Sequence, residues 1–305
     1  MKTYVIGHLK PDTDSVVAAM ALAALYQVEA AITEDINPET SFLMDKFGLQ
    51  APKIISATDL ADDDQVILVD HNEESQRLVG LNSNQIVEIV DHHKANINFE
   101  QPIALTFKTW GSSSTIVADM MRQASYTPDQ KLASLMLAAI LSDTVGFKSP
   151  TCTNKDQEVA KWLTEVAQIS DLESFTLEIF KAKSDVSKLS AEEIVKNDYK
   201  IFDFAGKKVM IDQLETVEQD KVVTERKDEL LKAMEQVKAE LQADVIFVAI
   251  TDILKVNTKL LILNQDAAAV AIQAFGGEVK EQVLDIGPKL SRKKEIAPPI
   301  ERALS

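Results

Sequence analysis

The sequence predicts an α/β protein: an N-terminal doubly wound parallel sheet, a flexible linker, and a smaller C-terminal mixed α/β domain. Three observations carry this. Apolar strand-like runs alternate with helical patterns over the first half, which is the signature of a parallel sheet. The length, 305 residues, favours two cores over one. Between the halves, KSDVSKLSAEEIVKND (183–198) is polar, with few large apolar side chains.

In order, residues 3–7 (TYVIG) form a short apolar strand. A strongly apolar helix starts at Ser15, with Asp14 or Ser15 as its N-cap. Residues 30–33 are a weak second strand. Residues 65–69 and 85–90 are strands of buried type, each ending at an aspartate. Residues 115–123, 129–141, 156–167 and 172–182 carry helical patterns. The domains are then 1–184 and 192–305, joined by a linker at 185–191. In the second domain, KIFDF and VMIDQLE pair about a turn at 205–207. A charged amphipathic helix covers 220–242. ADVIFVAITD and KLLILN hold core strands, and DAAAVAIQAF is a helix that stops at Gly276 and Gly277.

Composition narrows the function. The formal charge of −16 repels nucleic-acid phosphates over long range. It repels any anionic substrate too, so a phosphate site must be locally positive. The run Arg292-Lys293-Lys294 is conspicuous for that reason, although a solvated surface cluster would look the same. One cysteine, Cys152, permits no internal disulfide and fits a reducing cytoplasm. The N-terminus is neither a signal peptide nor a membrane span, and the apolar run at 136–141 is too short to cross a bilayer. Cys152, Trp110 and Trp162 read as packing residues.

The four histidines, His8, His71, His92 and His93, all lie in acidic motifs: GHLKPDTDS, LVDHNE and VDHHK. With Asp143 in LSDT, these motifs fall where a parallel sheet presents ligands, outside the carboxyl ends of its strands. Carboxylates and imidazoles converging there suit a two-metal hydrolytic site. Pro11 keeps His8, Asp12 and Asp14 off a regular helix, on a strand-to-helix loop. Taken singly, each motif has a blander reading. Asp14 and Ser15 could be caps, and Asp70 and Asp91 turn residues. Asp143, expected just beyond its helix, could be satisfied by Ser142 and Thr144. His92 and His93 are harder to dismiss, because neighbours in extended chain point oppositely. They serve one site only through a bend or through different roles. The run Asp62-Asp63-Asp64 reads as a solvated loop. Gly111-Ser112-Ser113-Ser114-Thr115 opens a helix whose N–H groups either are capped or bind phosphate. His71 stays ambiguous.

Together HLKPDTDS, VDHNE, VDHHK, SDT and the terminal SRKKEIAPP resemble the manganese-dependent (family II) inorganic pyrophosphatases of the DHH phosphoesterase superfamily. The resemblance spans essentially the whole chain, with NDYK and SRKK pointing to the pyrophosphatase branch. Lys10 stands where Asn is expected, and GSSST departs from the usual small-residue pattern. The resemblance implies a DHH-type catalytic domain and a DHHA2-like substrate domain. It implies that His8 and Asp12 hold one metal, Asp14 and His92 the other, and that Asp70 and Asp143 bridge both. His93, Lys200, Arg292 and Lys293 would bind substrate phosphates, and Asp91 would orient the histidines. It also implies two Mn²⁺ or Co²⁺ ions per subunit, Mg²⁺ entering with the substrate, and a cytoplasmic homodimer. Pyrophosphate would be split into two phosphates by a hydroxide shared between the metals, with domain closure. Rival readings are an exopolyphosphatase or an oligonucleotide or cyclic-dinucleotide phosphodiesterase of the same superfamily. The phosphodiesterases typically carry a glycine- and histidine-rich motif, and no histidine follows His93 here.

Overall fold

The computed structural model describes residues 1–187 and 189–304; Lys188, within the expected linker, and Ser305 lie outside the described residues. The chain divides into two compact units, Met1–Ala182 and Lys183–Ser305.

The first unit is a six-stranded, all-parallel sheet in the order β3-β2-β1-β4-β5-β6. Its elements are β1 (Thr3–Ile6), α1 (Thr13–Tyr26), β2 (Glu29–Ile32), α2 (Pro38–Phe47), β3 (Lys53–Ile54), β4 (Gln65–Val69), β5 (Ile86–Asp91), β6 (Ala104–Phe107), α3 (Ser113–Gln123), α4 (Gln130–Asp143), α5 (Asn154–Ala167) and α6 (Leu172–Lys183). The strand order reverses between β1 and β4, which opens a crevice at their carboxyl ends. Helices α1 and α4 are apolar nearly all round because both lie in the core rather than at its edge. Leu22, Leu135 and Leu137 have no exposed surface, and each contributes roughly 2–3 kcal/mol of hydrophobic stabilisation.

The structure corrects several boundaries. Helix α1 starts at Thr13, and its N-cap is Asp12, whose side chain accepts from the Ser15 N–H. Neither Asp14 nor Ser15 is the cap. Helix α4 runs through Asp143, so that residue is the helix's last turn rather than a position beyond it. Asp64 is buried and accepts from the N–H groups of Lys2 and Ala61; only Asp62 and Asp63 are solvated. Strands β3 and β6 and helix α2 were not anticipated. β3 has two residues and β6 is half exposed, too little for a periodic signal. Helix α2 does carry one, with Asn37 as N-cap and Pro38 opening its first turn.

The second unit contains α7 (Ala191–Val195), β7 (Tyr199–Phe204), β8 (Lys207–Thr216), α8 (Gln219–Leu241), β9 (Val245–Asp252), β10 (Asn257–Ile262), α9 (Gln265–Phe275), β11 (Val283–Gly287) and α10 (Ala297–Leu304). The five strands form a mixed sheet, β11-β10-β9-β8-β7, in which only β8 and β9 run parallel. Alternation sorts the side chains. Met210, Leu214, Ile246, Val248 and Ile250 pack under α8, while Val209, Ile211, Phe247, Ala249 and Leu260 face α9 and α10. Arg226 of α8 donates to the carbonyls of Val186 and Leu189.

Candidate metal centre

Loops at the carboxyl ends of β1, β4 and β5, with the first turn of α1 and the last turn of α4, bring six predicted residues together; Asp14 is in that first turn, not on the loop expected from Pro11. His8 Nε2 lies 3.7 Å from Asp12 Oδ1 and 3.5 Å from Asp70 Oδ2. His92 Nε2 lies 3.4 Å from Asp70 Oδ1 and 3.6 Å from Asp143 Oδ2. Asp14, His92 and Asp143 form one cluster able to hold a cation, and His8, Asp12 and Asp70 another. Asp70 therefore offers one oxygen to each side. Its φ of 65° is in the left-handed region, costly for an aspartate, and its N–H to the Val90 carbonyl helps hold it there.

The histidine tautomers decide what fits. His8 Nδ1 is 2.7 Å from the Leu9 carbonyl, and His92 Nδ1 is 3.0 Å from the Trp110 carbonyl. A carbonyl accepts only, so each Nδ1 carries the proton and each neutral ring turns a bare Nε2 towards carboxylates. His92 Nε2 is buried without a hydrogen-bond partner. Lone pairs facing carboxylate oxygens at 3.4–3.7 Å repel unless a cation lies among them. Such spacings suit ligands sharing an ion at bond lengths of about 2.1 Å. Without one, protons take its place. Burial lowers the His8 pKa, but Asp12 and Asp70 outweigh it and raise it to about 11. His92 is likewise raised to about 10 by Asp70 and Asp14 against the effect of burial. Burial, then the charges of Asp14 and Asp70, push Asp143 up to about 10. Mixed imidazole and carboxylate donors suit Mn²⁺ or Co²⁺ better than Mg²⁺, which favours an all-oxygen shell.

The serine run does cap its helix, as one sequence alternative had it, with Ser112 Oγ accepting from the Ser114 N–H at 3.1 Å; it also has a role that neither alternative named. Its helix N-terminus is occupied by a protein carboxylate. Asp14 accepts from Ser112 Oγ at 2.7 Å, Ser113 N–H at 2.6 Å and Ser114 N–H at 2.9 Å. The amides that might have held phosphate thus orient a candidate ligand. Behind them, buried Asp156 accepts from the Gly111 N–H and Thr115 Oγ1, bracing the turn. The signal in sequence was the run of hydroxyl residues before a helix; its partner, about a hundred residues away, was not readable.

His93 lies edge-on to His92, with ring centroids 4.2 Å apart, and Asp70, His92 and His93 form a third cluster able to hold a cation. His93 Nδ1 lies 3.0 Å from Asp91 Oδ1, and the ring is half exposed. That carboxylate outweighs burial and raises the His93 pKa. Asp91 orients His93 only; His92 takes its orientation from Trp110. Asn72, not singled out in the sequence, donates to Asp91 at 2.5 Å. His71 is fully buried with Nδ1 on the Val69 carbonyl, and burial lowers its pKa to about 4. It is a neutral wedge with its ring edge-on to His8 at 6.3 Å.

A family model for the DHH family, N-terminal domain, matches residues 2–140, and one for the DHHA2 domain matches residues 177–303. The chain is 40% identical over 310 residues to the manganese-dependent inorganic pyrophosphatase of Methanocaldococcus jannaschii, covering 98% of both. The chain belongs to the manganese-dependent inorganic pyrophosphatase family. The family's Bacillus subtilis member is 34% identical over 310 residues, covering 100% of this chain and 99% of that one. A solved Methanococcus jannaschii structure assigned to the family II inorganic pyrophosphatases superposes with a TM-score of 0.64 at 39% identity, covering 99% of each chain. An exopolyphosphatase-related protein of Bacteroides fragilis, at 15% identity and TM-score 0.53, shares the fold.

The remaining predicted residues lie in the second unit, the part matched by the DHHA2 model. Lys200 on β7 and Lys293 are exposed. Arg292 is buried; its guanidinium donates to the Asp198 main-chain carbonyl and, at 3.0 Å, to Asp198 Oδ1.

Proposed function

We infer that this chain hydrolyses inorganic pyrophosphate to two phosphates, with Mn²⁺ as its resident metal. Family membership supports the substrate. The observation that carries the metal reading is the pair of bare Nε2 atoms, on His8 and His92, flanking the two oxygens of Asp70. In this reading His8 and Asp12 hold one ion, Asp14 and His92 the other, and Asp70 and Asp143 both. Two such ions would supply Lewis acidity and would lower the pKa of water towards about 7. Asp14, fixed by three donors, keeps its carboxylate in register without searching rotamers.

His93, Lys200, Arg292 and Lys293 bind the phosphate oxygens. His93 is suited because Asp91 favours its imidazolium, which then has Nε2–H to donate. Arg292 donates through two nitrogens to two oxygens of Asp198, one main-chain and one carboxylate, and the same planar fork matches two oxygens of a phosphate. Co²⁺ as a substitute metal, Mg²⁺ accompanying the substrate and a homodimeric cytoplasmic enzyme belong to the same proposal. No helix among the described residues is long and apolar enough to cross a membrane.

The test strips metal with a chelator, restores Mn²⁺, Co²⁺ or Mg²⁺, and measures phosphate release from pyrophosphate, tripolyphosphate and a short oligonucleotide. Fast pyrophosphate cleavage restored best by Mn²⁺ or Co²⁺ is expected. Cleavage of the oligonucleotide with pyrophosphate untouched would overturn the substrate assignment.

A further inference from the structure

Three strands of the second unit break their apolar pattern at the same end of the same face. Val209 and Ile211 of β8, Phe247 and Ala249 of β9, and Leu260 and Ile262 of β10 pack towards α9 and α10. Two residues along each strand, on the same face by the period of two, the next side chain is polar: Gln213, Thr251 and Thr258. All three are buried, Thr251 and Thr258 completely. A buried amide and two buried hydroxyls are costly unless their bonds are made.

They are made, and donor counting fixes their direction. The Arg292 N–H donates to Gln213 Oε1 at 3.0 Å. Gln213 Nε2 donates to the Leu290 carbonyl at 2.9 Å and to Thr251 Oγ1 at 3.1 Å. Thr258 spends its proton on the Lys289 carbonyl, so Thr251 must donate to Thr258 at 2.9 Å. A chain of side-chain bonds across three strands thus ends on three main-chain groups: Lys289 C=O, Leu290 C=O and Arg292 N–H. Those groups form the turn that delivers Arg292 and Lys293. Apolar residues would have stabilised this end of the face more simply; the polar trio gives the turn a defined position instead.

We propose that Gln213, Thr251 and Thr258 are positioning residues that set Arg292 and Lys293 at the spacing a pyrophosphate requires. The inference rests on the reading of Arg292 and Lys293 as phosphate contacts. Displacements of about 1 Å in such groups cost up to about a hundredfold in rate.

The experiment compares Thr258→Val, Gln213→Glu and Arg292→Ala in the Mn²⁺-loaded enzyme. Valine keeps the shape of Thr258 and removes two bonds, the one it donates to the Lys289 carbonyl and the one it accepts from Thr251. Glutamate keeps an acceptor for the Arg292 N–H but faces the Leu290 carbonyl with a second acceptor. Each variant is read by KM and kcat for pyrophosphate, by Mn²⁺ affinity and by Tm. The expected result is a rise in KM of about fivefold or more in Thr258→Val, and more in Gln213→Glu, with Mn²⁺ affinity within about twofold of the parent. Lower Tm with KM unchanged in both would make the trio purely structural and overturn the proposal. If Arg292→Ala raises KM while both trio variants stay within about twofold of the parent, the positioning inference alone fails. If Arg292→Ala is itself silent, the phosphate-contact reading fails, and this inference with it.

Discussion

Ser113 Oγ donates a 2.8 Å hydrogen bond to Oδ1 of Asp70, and the N–H of the same serine donates to Asp14 at 2.6 Å. One residue at a helix N-terminus therefore restrains two candidate ligands, one through its side chain and one through its backbone. Ser113→Ala separates these contributions, because the backbone bond survives. Loss of a bond that orients a ligand typically weakens metal binding by roughly 10–100-fold. The prediction is a weakening of that size in a Mn²⁺ titration followed by electron paramagnetic resonance. Unchanged affinity would mean that His8 and His92 suffice to place Asp70.

Asp143 closes an apolar helix at a point crowded by Asp14 and Asp70, and burial with those charges raises its pKa to about 10. A carboxylate so disfavoured as an anion is tolerated where a cation compensates it. Asp143→Asn is expected to lose at least one of two Mn²⁺ equivalents by calorimetry and to lower kcat by about a hundredfold or more. Full occupancy of both sites would contradict the bridging role.

Lys10 has φ of 51°, in the left-handed region. Lysine pays about 1 kcal/mol there, whereas asparagine enters that region more readily. This gives a physical reason for the asparagine that the family resemblance leads one to expect. Lys10→Asn should raise stability by about 0.5–1 kcal/mol in urea denaturation of the metal-free protein. A destabilised variant would point to a role for the ammonium group instead.

Why so much of the centre was legible follows from these residues. His8, Asp70 and Asp91 terminate apolar strands, and a parallel sheet delivers strand ends to one edge whatever its loops do. What escaped was long-range. The bond between Ser113 and Asp70 spans 43 positions and that between Ser112 and Asp14 spans 98, with no periodicity to announce either. The N-cap of α1 was misplaced because Asp12 both caps the helix and stands beside His8, and the sequence reading gave it only the second task. β6 was missed because Ala104 and Leu105 are exposed, so it lacks the apolar run of β4 and β5. The Gln213 network left only a weak trace, three polar residues in otherwise apolar strands.

Asp212 provides a test by pH. It sits on β8 with no exposed surface; Oδ1 accepts from the Asp198 N–H, and Oδ2 has no hydrogen-bond partner. Burial outweighs that bond and the attraction of Arg292, raising its pKa from 3.8 to about 7. The folded state therefore holds a proton that the unfolded chain has released between these values. Stability falls as pH rises through that window, by up to about 4 kcal/mol. Below pH 4 both states are protonated and the penalty vanishes. Asp212→Asn keeps the Oδ1 acceptor and removes the charge, but places an amide nitrogen where Oδ2 had no partner, costing about 1–2 kcal/mol. The variant should be less stable than the parent near pH 4–5 and more stable at pH 8. Urea unfolding across that range should thus give two stability curves that cross. Parallel curves would show that Asp212 is ionised in the folded protein throughout, with Arg292 compensating its burial.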